Sequence, residues 1–109
     1  MVDETIVKSI QNYLKAVSES GIPVRFAVLF GSFATERAHQ WSDIDLLVVS
    51  PLYDKRCTHN EMVKLWRIAA RTDSRIEPIP VGEKQYKQDD SNMIIEIARR
   101  EGQIIPLAE

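Results

Sequence analysis

Apolar side chains recur at helical spacing in two long segments of the chain. Residues 3–19 carry one such stripe (Ile6, Val7, Ile10, Leu14 and Val17), and Gly21 indicates where this helix ends. A second helix is predicted after Thr58, which forms a capping-box pattern with Glu61. Its apolar stripe, including the tryptophan, is predicted to face the core: Met62, Leu65, Trp66, Ala69 and Ala70.

The last helix is predicted near the end of the chain. Asp89, Asp90 or Ser91 can cap its N-terminus, and Gly102 is suited to end it. Its predicted inner face consists of Ile94, Ile97 and Ala98.

Short apolar runs between these helices predict the strands of one sheet. VRFAVLF (24–30) and DIDLLVVS (43–50) read as buried strands, and RIEPIPV (75–81) as a third. Because proline cannot donate a backbone hydrogen bond, the third strand is expected at or near a sheet edge. QIIPL (103–107) predicts a short terminal strand. The order of elements predicts an α/β (α+β) fold with helices packed on a small sheet.

Composition narrows the class of protein. The 109 residues fit a single domain over 1–109. A net charge of −2 gives no basic footprint, so direct nucleic-acid binding is not expected. One cysteine, Cys57, excludes a disulfide framework within the chain and suggests a reducing compartment. With no signal peptide pattern and no apolar run of membrane-spanning length, we expect no membrane partner and a cytoplasmic location.

Two aspartates stand at the start of the second predicted strand. Alternate strand residues share a face, so Asp43 and Asp45 would point the same way with their Cα atoms about 6.5–7 Å apart. Carboxylates placed so can converge on one hard cation such as Mg²⁺, or on a pair. The alternative is that Asp43 caps a turn and Asp45 faces water.

Gly31-Ser32 lies at the exit of the first predicted strand, and residues 32–38 could form a short helix. If a helix begins there, its free N–H groups would attract a phosphate, and Gly31 would allow close approach to the backbone. An ordinary turn is the alternative. Together with Asp43 and Asp45, this arrangement favours a phosphate site beside a metal site.

These residues resemble a known family. Gly31-Ser32, ten residues, and Asp43-Ile44-Asp45 are similar to the signature of the DNA polymerase β-like nucleotidyltransferase superfamily. The segments SDIDLLVV, RIEPIPV and IARREGQII resemble sequences of the minimal nucleotidyltransferases, the MNT or MntA-like antitoxin group. The resemblance spans essentially the whole chain.

The resemblance implies a fold and a site. The fold would be a small mixed sheet of three to four strands with helices packed on it. Two Mg²⁺ ions would be held by Asp43, Asp45 and a third carboxylate from a later strand, for which Glu77 is the matching position. ATP, as substrate, would place its phosphates on Gly31-Ser32. Glu77 could help deprotonate the acceptor hydroxyl, or it could be an exposed strand residue between two prolines.

One segment departs from the family. Where many relatives read x-Ala-Arg-Gly after Gly-Ser, this chain reads Phe33-Ala34-Thr35-Glu36, with Arg37 one place later. Arg37 could serve as the phosphate clamp, or it could be a solvated helix residue. Glu36 would add negative charge near the phosphates if it faced them.

The resemblance also implies a partner. The expected activity is transfer of AMP from ATP to a hydroxyl, a tyrosine, of a HEPN-domain toxin, so that the chain acts as the antitoxin of the pair. The alternative is a binding module of weak or no activity that neutralises the toxin by complex formation. An exposed apolar face or an unpaired sheet edge would support a homo- or hetero-oligomer.

Overall fold

A mixed four-stranded sheet forms the centre of the computed structural model, which describes residues 4–31, 43–55, 57–89 and 91–107. The strands are β1 (Phe26–Phe30), β2 (Ile44–Ser50), β3 (Ile76–Gly82) and β4 (Gln103–Pro106). Their order is β3-β2-β1-β4. β1 pairs antiparallel with β2 and β4, whereas β2 and β3 run parallel. The predicted fold class, a small mixed sheet with helices, is confirmed.

Helices pack on both faces of this sheet. They are α1 (Glu4–Glu19), α2 (Leu52–Lys55), α3 (His59–Thr72), α4 (Glu83–Gln88) and α5 (Met93–Glu101). None of the helices in the described part of the chain is long and apolar enough to cross a membrane. The short helices α2 and α4 were not predicted, because four and six residues are too few to repeat an apolar stripe.

Alternate residues of β2 supply two separate cores. Ile44, Leu46 and Val48 pack with α1 and α3 in the larger cluster, whereas Leu47 and Val49 pack with α5 in the smaller one. The strand is therefore buried on both faces, which explains why its sequence is continuously apolar. Of its seven residues, only Asp45 is not fully buried.

Tyr13 joins α1 to α3. Its side chain is fully buried, and its hydroxyl donates to the carbonyl of Leu65 at 3.0 Å. Burial, followed by the nearby Tyr53, raises the pKa of Tyr13 well above its usual range, so the hydroxyl keeps its proton. The hydroxyl can therefore donate this bond at neutral pH.

The prediction that β3 lies at a sheet edge is confirmed. The amide of Ile44 donates to the carbonyl of Arg75 at 2.8 Å, so the residues of β3 that bond to β2 have odd numbers. Pro78 and Pro80 have even numbers, and their nitrogens therefore point away from β2. The prolines therefore remove no hydrogen-bond donor from the pairing of β3 with β2. They do reduce the number of N–H groups on the outer edge of β3.

The predicted core face of α3 is wrong in part. Thr58 caps the helix as predicted, by accepting from the amide of Glu61. Leu65 and Ala69 are buried, but Met62 is 42% exposed and Trp66 is 44% exposed. α3 packs against both α1 and β3, and the line through Leu65 and Ala69 faces them. The tryptophan stands about 100° further round the helix, at the margin of the buried face.

The last helix is also rotated from the prediction. Its cap is Asn92, which accepts from the amides of Ile94 and Ile95, and not Asp89, Asp90 or Ser91. Ile95 and Ala98 are buried, whereas Ile94 and Ile97 are exposed. Five of the six residues from Met93 to Ala98 are apolar, so the sequence allows more than one stripe and packing selects between them. Gly102 ends the helix as predicted.

Replacing Tyr13 by phenylalanine should lower the free energy of unfolding by about 1 kcal/mol, because a buried hydrogen bond between α1 and α3 is lost. Urea unfolding measures this. Tyr86→Phe is the control: its ring contacts Phe26 edge-on and is only half-buried, so it should change stability by less. Equal effects of the two substitutions would contradict the role of the Tyr13 hydroxyl.

Candidate active site

Three carboxylates meet at one end of the sheet. Asp43 precedes β2, Asp45 is the second residue of β2, and Glu77 is the second residue of β3. The parallel register places Glu77 directly beside Asp45. Alternate residues of a strand share a face, so Asp45 lies on the same face as Leu47, and Glu77 on the same face as Val81. Further along the strands, α5 covers this face of the sheet.

The end of β1 closes the other side of this group. Phe30 is the register partner of Asp45, and Gly31 follows it with a φ of +77°. A Cβ at Gly31 would overlap Oδ2 of Asp45 and lie 3.2 Å from its Cγ. Glycine is therefore required twice here, once for the left-handed backbone and once for the space that the carboxylate occupies.

Burial and the charge of Asp43 raise the pKa of both Glu77 and Asp45. Burial, then the charge of Asp43, then hydrogen bonding to Asp45 raise the pKa of Glu77. Burial also raises the pKa of Asp45; a hydrogen bond from Glu77 opposes this shift, and the charge of Asp43 adds to it. Glu77 thus keeps a proton to higher pH than an ordinary glutamate. A fully ionised group is destabilising unless a cation or a proton compensates it.

The donor set suits a hard divalent cation. Three carboxylates supply only oxygen, the ligand that Mg²⁺ prefers, and their mutual repulsion would be relieved by its charge. In their present positions, no three His, Cys, Asp or Glu side chains of the described ranges form a group that could hold a metal ion. Protonated carboxyls hydrogen-bond to one another, so rotation of their side chains would accompany loading.

A second charged group adjoins the start of β3. Asp73 and Arg75 form a two-pronged ion pair, with Nη2 of Arg75 at 2.7 Å from Oδ2 of Asp73. The side-chain hydrogen bonds from Arg75 lower the pKa of Asp73 to about 2. Neither residue was predictable as part of a site, because an Asp-Ser-Arg turn after a helix carries no site motif.

The predicted site residues divide into two sets. The structure brings together Gly31, Asp43, Asp45 and Glu77 at one end of the sheet, with Asp45 and Glu77 as immediate neighbours. Ser32 and Arg37 lie outside the described residues, as does the short helix predicted over 32–38. The catalytic and binding roles of all these residues remain predictions.

The family of the chain follows from its sequence. A family model described as a nucleotidyltransferase domain matches residues 10–105, a range that includes Gly31 and all three carboxylates. The chain therefore belongs to the nucleotidyltransferase family, and the resemblance of its motifs to nucleotidyltransferases is confirmed. No curated protein matches the chain.

Solved structures of distant sequence share the fold. A toxin–antitoxin with AMP-PNP is 19% identical, with a TM-score of 0.62 over 91% of this chain and 74% of that one. A mutant of the toxin–antitoxin MntA-HpeT, with two aspartates two positions apart changed to glutamate, is 15% identical, with a TM-score of 0.60 over 91% and 74%. A candidate nucleotidyltransferase from Sulfolobus solfataricus is 16% identical, with a TM-score of 0.61 over 90% and 77%.

Glu77→Gln should stabilise the metal-free protein at neutral pH. The folded chain holds the Glu77 proton more tightly than the unfolded chain does, so stability is lost as pH rises from the ordinary glutamate pKa through the raised one. Glutamine removes this loss, and we expect the melting temperature in EDTA at pH 7 to rise by about 2–4 °C.

The gain should vanish near pH 3.5, where Glu77 is protonated in both states. Glu96→Gln is the matched control, because Glu96 is an exposed carboxylate paired with Arg100 at 3.1 Å and should show no gain at either pH. A lower melting temperature for Glu77→Gln at pH 7 would contradict the repulsion.

Gly31→Ala should destabilise more than Gly21→Ala. Gly21 also has a positive φ, of 102°, but a Cβ there meets nothing within 4 Å. The backbone strain alone should cost about 1 kcal/mol at Gly21, and roughly 2–3 kcal/mol is expected at Gly31, where Asp45 must also move. Urea unfolding of both variants separates the contact from the strain; equal losses would show that Asp45 is not displaced.

Proposed function

We propose that the chain is a Mg²⁺-dependent nucleotidyltransferase and acts as the antitoxin of a toxin–antitoxin pair. It transfers AMP from ATP to a tyrosine hydroxyl of a HEPN-type toxin, with pyrophosphate as the leaving group. The observation that carries the proposal is the group of Asp43, Asp45 and Glu77 beside the left-handed backbone of Gly31. Family membership gives the reaction class, and the site gives this chain the residues for it.

Each residue has a role in this proposal. Asp43, Asp45 and Glu77 would hold the two Mg²⁺ ions, which supply charge neutralisation at the phosphates when bound. Gly31 and Ser32 would receive the phosphates at the end of β1, with Arg37 as a further phosphate contact. Glu77 lies on the edge strand, where an acceptor could approach, and would take the proton of the hydroxyl.

Structural neighbours support the nature of the partner. Two of them are toxin–antitoxin complexes, and one of these holds AMP-PNP, an ATP analogue. The mutant neighbour was altered at two aspartates with the same spacing as Asp43 and Asp45. These parallels favour a protein acceptor from a toxin–antitoxin pair.

A second function is favoured by one observation. The segment Phe33-Ala34-Thr35-Glu36 replaces the usual arginine with threonine and adds an acid. If Arg37 does not replace that arginine, phosphate binding is weak, and the chain would act as a binding module that neutralises the toxin by covering it. The two functions differ in whether the partner is modified.

Mass spectrometry of the partner distinguishes the two functions. With Mg²⁺ and ATP, a HEPN-type toxin that forms a complex with this chain should gain the mass of one AMP, on a tyrosine. Asp45→Asn should abolish the gain while the complex still forms, because the carboxylate beside Glu77 is lost. Glu96→Gln, which alters an exposed pair on α5, should leave the gain unchanged.

The outcome that overturns AMP transfer is an unmodified partner that remains in complex with the wild-type chain. That outcome would favour the binding module. Modification that persists in Asp45→Asn would instead remove the carboxylates from the mechanism.

A further inference from the structure

We propose that Asp73 is a positioning residue for the carboxylate group: it fixes the turn from which β3 begins, and thereby sets Glu77 beside Asp45. This inference rests on the proposed function in one respect, since it takes the three carboxylates as metal ligands. Asp73 itself touches none of them in the described contacts and would act through the backbone of Arg75.

The Asp73 carboxylate, at the end of α3, accepts hydrogen bonds from α1 and from the turn before β3. Its Oδ1 accepts from the amide and from Nε of Arg75, each at 3.0 Å. Its Oδ2 accepts from Nη2 of Arg75 at 2.7 Å and from the hydroxyl of Ser9, on α1, at 2.9 Å. The carboxylate therefore ties α1, the end of α3 and the start of β3 to one point.

The backbone of the same turn is fixed as firmly. The Asp73 amide donates to the carbonyl of Ala69 at 3.0 Å, and the Ile76 amide donates to the carbonyl of Asp73 at 3.0 Å. The Arg75 carbonyl then accepts from the amide of Ile44 at 2.8 Å. Ile44 lies between Asp43 and Asp45, so this bond connects the turn directly to the segment that carries the aspartates.

That bond is the first rung of the β2–β3 ladder. In a parallel pair, alternate residues of one strand bond to the other, so the next residue of β3 that bonds to β2 is Glu77. A one-residue slip would turn Glu77 to the opposite face of the sheet. β3 is an edge strand with a single paired neighbour, so the position of its first rung matters more than it would in a central strand.

Asp54 provides a matched control at the other end of β3. Its carboxylate accepts from the amides of Lys84 at 3.0 Å and Gln85 at 3.2 Å, just after the strand ends at Gly82. Like Asp73, it holds one end of β3 through backbone amides, but it lies remote from Asp45 and Glu77. Loss of either carboxylate should lower thermal stability, and only loss of Asp73 should disturb the carboxylate group.

The test measures two properties of each variant in the absence of nucleotide. One is the affinity for Mn²⁺, used as a stand-in for Mg²⁺, and the other is the rate of amide hydrogen exchange at Ile44. Asp73→Ala should weaken Mn²⁺ binding about tenfold, the size of effect seen for groups that orient metal ligands, and should speed exchange at Ile44. Asp54→Ala should leave both within about twofold of wild type. Asp73→Asn, which keeps acceptor oxygen but loses the ion pair, should fall between wild type and alanine, and it serves as the test if the alanine variant does not fold.

Three results would overturn the inference. Wild-type Mn²⁺ affinity in Asp73→Ala or Asp73→Asn would refute the positioning role of Asp73 and leave the proposed metal site standing. Equal loss of affinity in Asp54→Ala would reduce the effect to general stability. A wild-type chain that binds no Mn²⁺ would refute the metal site of the proposed function, and the positioning role with it.

Discussion

Parallel pairing of β2 with β3 brings carboxylates on neighbouring strands close together. The other features of the site follow from the repulsion between these negative charges. The register puts Glu77 against Asp45, with Asp43 close to both. Burial and mutual repulsion raise the pKa of Glu77, so the apo protein carries an electrostatic cost in this corner. A folded domain tolerates such a cost where it serves binding, because the ligand's charge returns the lost stability.

The rest of the molecule holds the group of three carboxylates in position. β2 is buried on both faces, and its two cores anchor the strand rigidly up to Ile44. Gly31 leaves room for the Asp45 carboxylate, which a larger residue would displace. At the edge of the sheet, Asp73 and Arg75 hold the start of β3, while Pro78 and Pro80 point outward without weakening the ladder. Asp45 and Glu77 thus stand on strands, where packing limits their movement.

Much of the fold was predictable because its signals are local. Three helices, four strands and the edge position of β3 followed from apolar spacing, caps and prolines within single segments. The rotation of α3 and α5 did not follow. In MIIEIA, several stripes of apolar residues compete, and contact with the sheet selects Ile95 and Ala98. Trp66 was expected in the core because it lies on the apolar stripe of the helix, yet the line through Leu65 and Ala69 faces α1 and β3.

The sequence by itself predicted that Asp43 and Asp45 would share a face, because alternation along a strand is a property of the backbone. In the structure β2 begins at Ile44, between the two aspartates. The sequence also determined a glycine at the exit of β1 and, through the family signature, the class of enzyme. Only the tertiary structure decided that Glu77 stands next to Asp45, that Gly31 packs against that carboxylate, and that Asp73 ties the turn before β3 to α1. These contacts join residues far apart in the chain, and their geometry depends on strand order and register, which no local pattern encodes.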